Sequence, residues 1–337
     1  MNKKILLLAI LTSSCAPVIN YQLTSVPEEG GIKFVQLTTN EENVVGPNIF
    51  FNKATNVLQW YAAPFISVTP DGLRLAFVAQ KNDKRNLYIK NTTGGKATVQ
   101  RTFREGVLDM AFSPDGTRIA FTDAIVTGTT QGIGGSIGVP ITDSNIYQIN
   151  ATDGAAVQQV TTTGLDEMGP NFSRDGKSVF FTKKENDRYY IWNVNLETSI
   201  LTQYTEGFTP SLTPDGNKMV ITRNNRGRGE IWLIDLKSGS ETLILNDSQK
   251  GYSSPQVSPD GQTIVCVGST PGTSVIPTNL NIYTVTIEGT KIMQLTFHPG
   301  HDTSPVWAPD GNSIYFISQR GNETGKANVW RMDRPSN

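Results

Sequence analysis

A four-residue turn signature recurs six times along the chain, as TPDG at 69–72, SPDG at 113–116, SRDG at 173–176, TPDG at 213–216, SPDG at 258–261 and APDG at 308–311. Its aspartates, Asp71, Asp115, Asp175, Asp215, Asp260 and Asp310, follow one another at steps of 40 to 60 residues. Proline presets the first turn dihedral, aspartate bonds backbone two residues on, and glycine takes the left-handed conformation, so each signature marks a hairpin turn. Six carboxylates at equivalent turns therefore read as structural rather than catalytic. A period of this length limits the fold to architectures that stack small repeated units, because no single unit can bury its own apolar face.

The flanks repeat as well. After each turn comes a nearly continuous apolar strand: RLAFVA, RIAFTD, SVFFTK, KMVITR, TIVCVG and SIYFIS. Continuous apolarity implies burial on both faces. Next comes a strand with an aromatic at one fixed place: Tyr88, Tyr147, Trp192, Trp232, Tyr283 and Trp330. These read as packing between neighbouring sheets rather than as a ligand box. A fourth strand follows, as in VQQVT at 157–161 and IMQLT at 292–296. Four short strands repeated six times predict an all-β fold, a six-bladed β-propeller of four-stranded antiparallel blades over residues 32–333. The last repeat lacks a fourth strand, and the chain supplies KFVQLT at 33–38, whose FVQLT matches IMQLT. The N-terminal segment is thus expected to pair with 328–332 and close the ring. Residues 46–64, GPNIFFNKATNVLQWYAAP, fit no blade and are either a hairpin decorating blade one or the relic of a seventh blade.

The PDG turns, the apolar strand and the strand with its fixed aromatic resemble the TolB-like β-propeller repeats across residues 33–333. The resemblance implies a non-enzymatic module of the cell envelope with periplasmic protein partners and no cofactor. Family members of the TolB type place an α/β domain ahead of the propeller, where this chain has only a linker at 16–31. Formal net charge is −1, so nothing in the global balance calls for nucleic acid.

At the N-terminus, Lys3 and Lys4 precede the apolar run ILLLAIL and then TSSC, ending in Cys15. The run is too short to span a bilayer and fits a signal-peptide core. TSSC resembles a bacterial lipobox, although Leu11 stands four residues before the cysteine rather than three. The expectation is a lipoprotein signal over 1–15, Cys15 acylated, and attachment to the envelope by the lipid alone, with outer-membrane placement facing periplasm or cell surface; ordinary secretion is the alternative. Cys266, in the apolar strand IVCVG, reads as an inert buried thiol.

Chemistry-bearing candidates are few. GGSIG at 134–138 satisfies the nucleophile-elbow pattern, but it lies in a Gly- and Thr-rich excursion, 126–143, without the strand–turn–helix context that motif needs, and it reads as chance. FHPGHDTSP at 297–305 sets His298, His301 and Asp302 at a crossing between blades near the channel mouth, with Asp166 and Glu167 at the equivalent crossing before blade three. This is the candidate ligand or divalent-metal site. Propeller lyases acting on pectic fragments, which this chain resembles in fold, use several histidines for their metal, and this chain has two. A local turn is the competing reading. A carbohydrate-binding or metal-dependent carbohydrate-cleaving propeller is thus the alternative function, a glycan the alternative partner. The basic loops on that same face, carrying Lys84, Arg85, Arg226, Arg228 and Arg320, together with the long excursions 126–143 and 268–279, make the candidate partner-binding face, opposite the PDG turns.

Overall fold

A computed structural model describes residues 28–29, 31–45, 48–52, 57–61, 65–82, 84–93, 98–104, 106–129, 140–163, 166–186, 188–270, 279–321 and 326–335. Six antiparallel blades are formed from them. Blade one contains Ile66–Val68, Arg74–Lys81, Lys84–Asn91 and Thr98–Gln100. Blade two contains Val107–Phe112, Arg118–Thr129, Pro140–Asn150 and Gln158–Gln159. Blade three follows with Glu167–Phe172, Ser178–Glu185, Arg188–Asn195 and Leu201–Glu206. Blade four has Phe208–Leu212, Lys218–Asn225, Arg228–Asp235 and Glu241–Leu245. Blade five has Gly251–Val257, Thr263–Thr270, Asn279–Thr286 and Ile292–Gln294. Blade six joins Asp302–Trp307, Ser313–Ser318 and Asn328–Asp333 to the N-terminal Ile32–Gln36, with Glu28–Glu29 as a fifth strand.

The ring closes as the repeat of FVQLT and IMQLT predicts, and down to the side chains. Gln36 pairs with Trp330 as Gln294 pairs with Tyr283. Thr38 Oγ1 accepts the Val329 N–H at 2.8 Å, the bond that Thr296 Oγ1 makes to the Ile282 N–H at 2.9 Å. Gln36 Nε2 and Gln294 Nε2 each donate to the carbonyl of the threonine two residues on, at 2.7 and 2.8 Å. The chain's first propeller strand is therefore the outer strand of its last blade.

The PDG turns form a second closed ring. Each aspartate accepts the N–H of the residue two positions on, at 2.9 to 3.1 Å from Leu73 to Asn312. In the first five turns the Thr or Ser hydroxyl also donates to that carboxylate; Ala308 leaves the sixth without this bond. In those first five turns the bonds hold the carboxylates below their ordinary range, Asp115 and Asp215 down to about 2. The glycines have φ between 68° and 74°, and their α-carbons face the turn of the preceding blade: Gly116 on Pro70, Gly176 on Pro114, Gly261 on Pro214, Gly311 on Pro259, and Gly72 on Pro309, which completes the circle.

The second strand of every blade is buried on both sides, Leu75 to Ala79 being at most 2% exposed. Apolar clusters fill the gaps between adjacent blades, one joining blades six, one and two, others joining two with three, three with four, four with five, and five with six. Cys266 lies fully buried among them, and burial pushes its thiol up to about 12.

Of residues 46–64, Asn48–Asn52 and Val57–Tyr61 are described, and they lie in sequence between two parts of blade one's inner strand. Val45 N–H donates to Val78 O and Gln80 N–H to Asn43 O, so 43–45 form the first half of that blade's inner strand and Phe65 onward the second. At the matching point in blades three to six the ladder slips, with Gly169, Thr209, Ser254 and Ser304 at φ of 64°, 54°, 53° and 52°. The chain inserts a hairpin where its sister blades carry a bulge. Asn48–Asn52 and Val57–Tyr61 pair only with each other, as a separate two-stranded sheet and not a seventh blade.

Candidate functional site

On the face opposite the PDG turns, the second and third strands of each blade meet. Blades one, three and four join them by two-residue hairpins, closing at Lys81↔Lys84, Glu185↔Arg188 and Asn225↔Arg228. The first residue of each such turn is left-handed: Asn82 at φ 51°, Asn186 at 48° and Arg226 at 51°. Any β-carbon crowds the following carbonyl there; asparagine offsets this through its short amide, which bonds local backbone, and arginine has no such compensation. Gly227 follows at φ 85°, and its N–H donates to Asn224 Oδ1 at 2.8 Å. Arg226 and Arg228 are exposed on this turn. Lys84 is exposed too, whereas Arg85 is half-buried, its backbone paired with Gly106 and its guanidinium pulled below the usual range by burial.

Blades two and five extend instead of turning tightly. The ladder continues outward through Ile125↔Asp143 and Val126↔Thr142 to Thr129↔Pro140, and in blade five to Thr270↔Asn279. The two predicted excursions are therefore paired strands at their bases, not loops throughout. GGSIG at 134–138 and residues 271–278 lie outside the described residues, as does Cys15.

Sequence reasoning missed a set of cations seated over the fixed aromatics. Arg104 lies 4.6 Å from the Tyr147 ring centre, Lys183 4.5 Å from Trp192, Arg223 4.8 Å from Trp232 and Lys250 5.1 Å from Tyr283. The signal for two of them was present: the apolar strands SVFFTK and KMVITR end in Lys183 and Arg223. Arg223 also forms a bidentate pair with Glu241, at 2.5 and 2.8 Å.

Arg320 departs from the sequence reading. Expected on the exposed face, it is buried: Nη2 lies 2.9 Å from Asp302 Oδ2, Nε donates to Ser318 Oγ at 3.0 Å, and the guanidinium stacks 3.9 Å from the Phe34 ring. Phe316 and Trp330 complete the enclosure at 5.1 and 5.9 Å. Asp302, fully buried, is thereby committed to an ion pair, and burial raises its pKa against the pull of Arg320. His298, also buried, accepts the Gly300 N–H on Nδ1 at 2.9 Å. The His301 N–H donates to Gln319 Oε1 at 3.1 Å, and burial lowers the imidazole's pKa.

The equivalent crossing before blade three is likewise turned inward. Glu167 is fully buried and accepts from the Thr161 and Thr163 hydroxyls, while its own N–H donates to Ser144 Oγ. It is bound to blade two rather than reaching over the channel toward His298. Asp166 sits beside Lys184 and Asp143, its pKa raised chiefly by burial. Among the described residues, no three His, Cys, Asp or Glu side chains are grouped to hold a metal ion, and Asp302 and Glu167 are held by Arg320 and by two threonines.

Residues 207–337 match the family described as the TolB β-propeller domain. The Tol-Pal system protein TolB of Bordetella pertussis is 28% identical over 270 residues, covering 70% of this chain and 60% of that protein. The chain thus spans about 60% of the length of the curated relatives of this kind that it matches. Among solved structures, TolB from Acinetobacter baumannii aligns with a TM-score of 0.59 at 22% identity, over 79% of this chain and 64% of that one. An oligogalacturonate lyase from Vibrio parahaemolyticus shares the fold at a TM-score of 0.53 and 13% identity, over 88% of this chain and 99% of that one. With six blades, a PDG-type turn in each and an N-terminal closing strand, the chain is a six-bladed β-propeller whose repeats are similar to those of TolB.

Proposed function

We propose that this propeller is a non-enzymatic interaction module of the bacterial cell envelope, binding a protein partner on the face opposite its PDG turns. The observation that carries the reading is Arg226. Blades one and three place asparagine at the left-handed position of the same turn, and blade four places an exposed arginine there beside Arg228. A strained, exposed, charged residue on a rigid scaffold is what a binding surface retains and a purely structural turn discards. Likeness to the Tol-Pal system protein TolB supports an envelope setting and a protein partner. Cys15 would anchor the chain by lipid. The carbohydrate-cleaving alternative gains nothing from the geometry, since Asp302 is held by Arg320 and Glu167 by two threonines.

The test is capture from native envelopes with immobilised protein. Charge reversal of Arg226 and Arg228 to Glu should weaken recovery of the partner at least tenfold while leaving the melting temperature unchanged. Undiminished recovery would move the contact elsewhere.

A further inference from the structure

At the PDG end the central channel opens into a cavity of about 250 Å³, walled by inner strands of five blades. Its size is below the range of about 300–1,000 Å³ typical of drug-sized ligands, so it suits a single small ring. No charged side chain lines it; Ile66, Met110, Pro170 and Val306 give it apolar walls.

One position repeats around this wall, two residues before the Ser, Thr or Ala of each PDG turn: Ser67, Ala111, Asn171, Ser211, Gln256 and Val306. In blades one and four it ties the ring together, Ser67 Oγ accepting the Phe112 N–H at 3.2 Å and Ser211 Oγ the Val257 N–H at 3.1 Å. In blades two and six it is apolar. In blades three and five it is an amide that does neither. Asn171 and Gln256 line the cavity half-buried, and neither side chain has a hydrogen-bond partner among the described residues. Each amide therefore has two donors and an acceptor free to face an occupant of the cavity. The same position supplies structural hydroxyls elsewhere in the ring, so these two amides are not needed for the fold.

We infer that this end of the channel binds a small uncharged ligand that both donates and accepts hydrogen bonds, with the size and chemistry of a single N-acetylated sugar. The acetamido group and ring hydroxyls would answer the two amides, and the acetyl methyl the aliphatic wall. An acidic sugar would meet no cation here. The site lies on the opposite face from the proposed partner surface, so either can fail without the other.

The probe is the methyl glycoside of N-acetylglucosamine, followed by chemical-shift changes of the Asn171 and Gln256 side-chain amides and, in variants that lack them, of the backbone amides of the lining residues Ala111 and Phe172, with galacturonate as the charged control. N-acetylglucosamine should shift both amides saturably, and galacturonate should not. Asn171→Leu with Gln256→Leu should keep the wild-type melting temperature and weaken binding about tenfold, the loss of one to two hydrogen bonds. Asn171→Asp with Gln256→Glu, which keeps shape but removes the donors, should weaken it as well. Absence of saturable shifts, equal binding of galacturonate, or full binding by either double variant would overturn the assignment.

Discussion

Replacing Arg320 by methionine removes a buried cation and leaves its anion behind. Asp302 is fully buried, and Arg320 is its ion-pair partner at 2.9 Å. Breaking a buried pair from one side typically costs about 3–5 kcal/mol, because the remaining charge is uncompensated. The guanidinium also lies 3.9 Å over Phe34 and contacts Phe316 and Trp330, a desolvated cation–π site of a kind valued at about 2 kcal/mol. Methionine refills part of that volume and recovers some of the packing, so the net loss should be about 4 kcal/mol. At roughly 2–4 °C per kcal/mol, the melting temperature should fall by about 8 °C or more. Asp302 already has a raised pKa, so in the variant it will take a proton more readily, and the loss should shrink between pH 7.5 and pH 5. Removing both charges, Arg320→Met with Asp302→Leu, should recover most of the stability. Urea unfolding followed by circular dichroism, on both singles and the double, measures the coupling. Because Phe34 belongs to the closing strand, partial unfolding should begin there, and proteolysis near residues 28–38 should report it. A single variant within about 1 °C of wild type would show that the pair does not hold this corner together.

Other expectations follow from the same geometry. Deleting residues 33–38 should expose the edge of Asn328–Asp333, lowering stability and promoting edge-to-edge association; a monomer melting at the wild-type temperature would refute the closure. Arg226→Asn should raise stability by about 0.5–1 kcal/mol while weakening partner capture, a split that thermal melts and pull-downs will resolve. Acid behaviour has two parts with opposite signs. The raised carboxylates, Asp166, Glu167 and Asp302, bind protons first in the folded state, so their contribution to stability should rise as pH falls from neutral toward about 4, outweighing the opposite effect of the single lowered imidazole, His301. The lowered PDG carboxylates stabilise the fold above their unfolded values, and that contribution should disappear as pH falls from about 4 through about 2. A flat melting temperature from pH 7 to pH 3 would contradict both. Cys15→Ala should release the protein from membranes into the soluble fraction.

What could be read from sequence was what local chemistry specifies. The PDG turn is legible because proline, aspartate and glycine each act within four residues, and the ring closure because Gln36 and Thr38 repeat the bonds of Gln294 and Thr296. Arg320 was misplaced for the converse reason. QRGNETGK reads as a polar turn, and what buries Arg320 comes from Asp302 on the neighbouring strand and Phe34 at the other end of the chain. The hairpin at 48–61 was visible as an extra piece, but its insertion point depends on the bulge that the sister inner strands share, a feature of backbone register. Asn171 and Gln256 escaped notice because nothing marks them until the serines at the same position are seen bonding across blades.

The proposed interaction face is tested most directly by photo-crosslinking in living cells, with a photoreactive residue placed singly at Arg228 on the loop face or at Thr117 beside a PDG turn. Adducts with one envelope protein from position 228 and none from position 117 are the predicted result. Adducts from position 117 alone would contradict the account and place the partner on the PDG face.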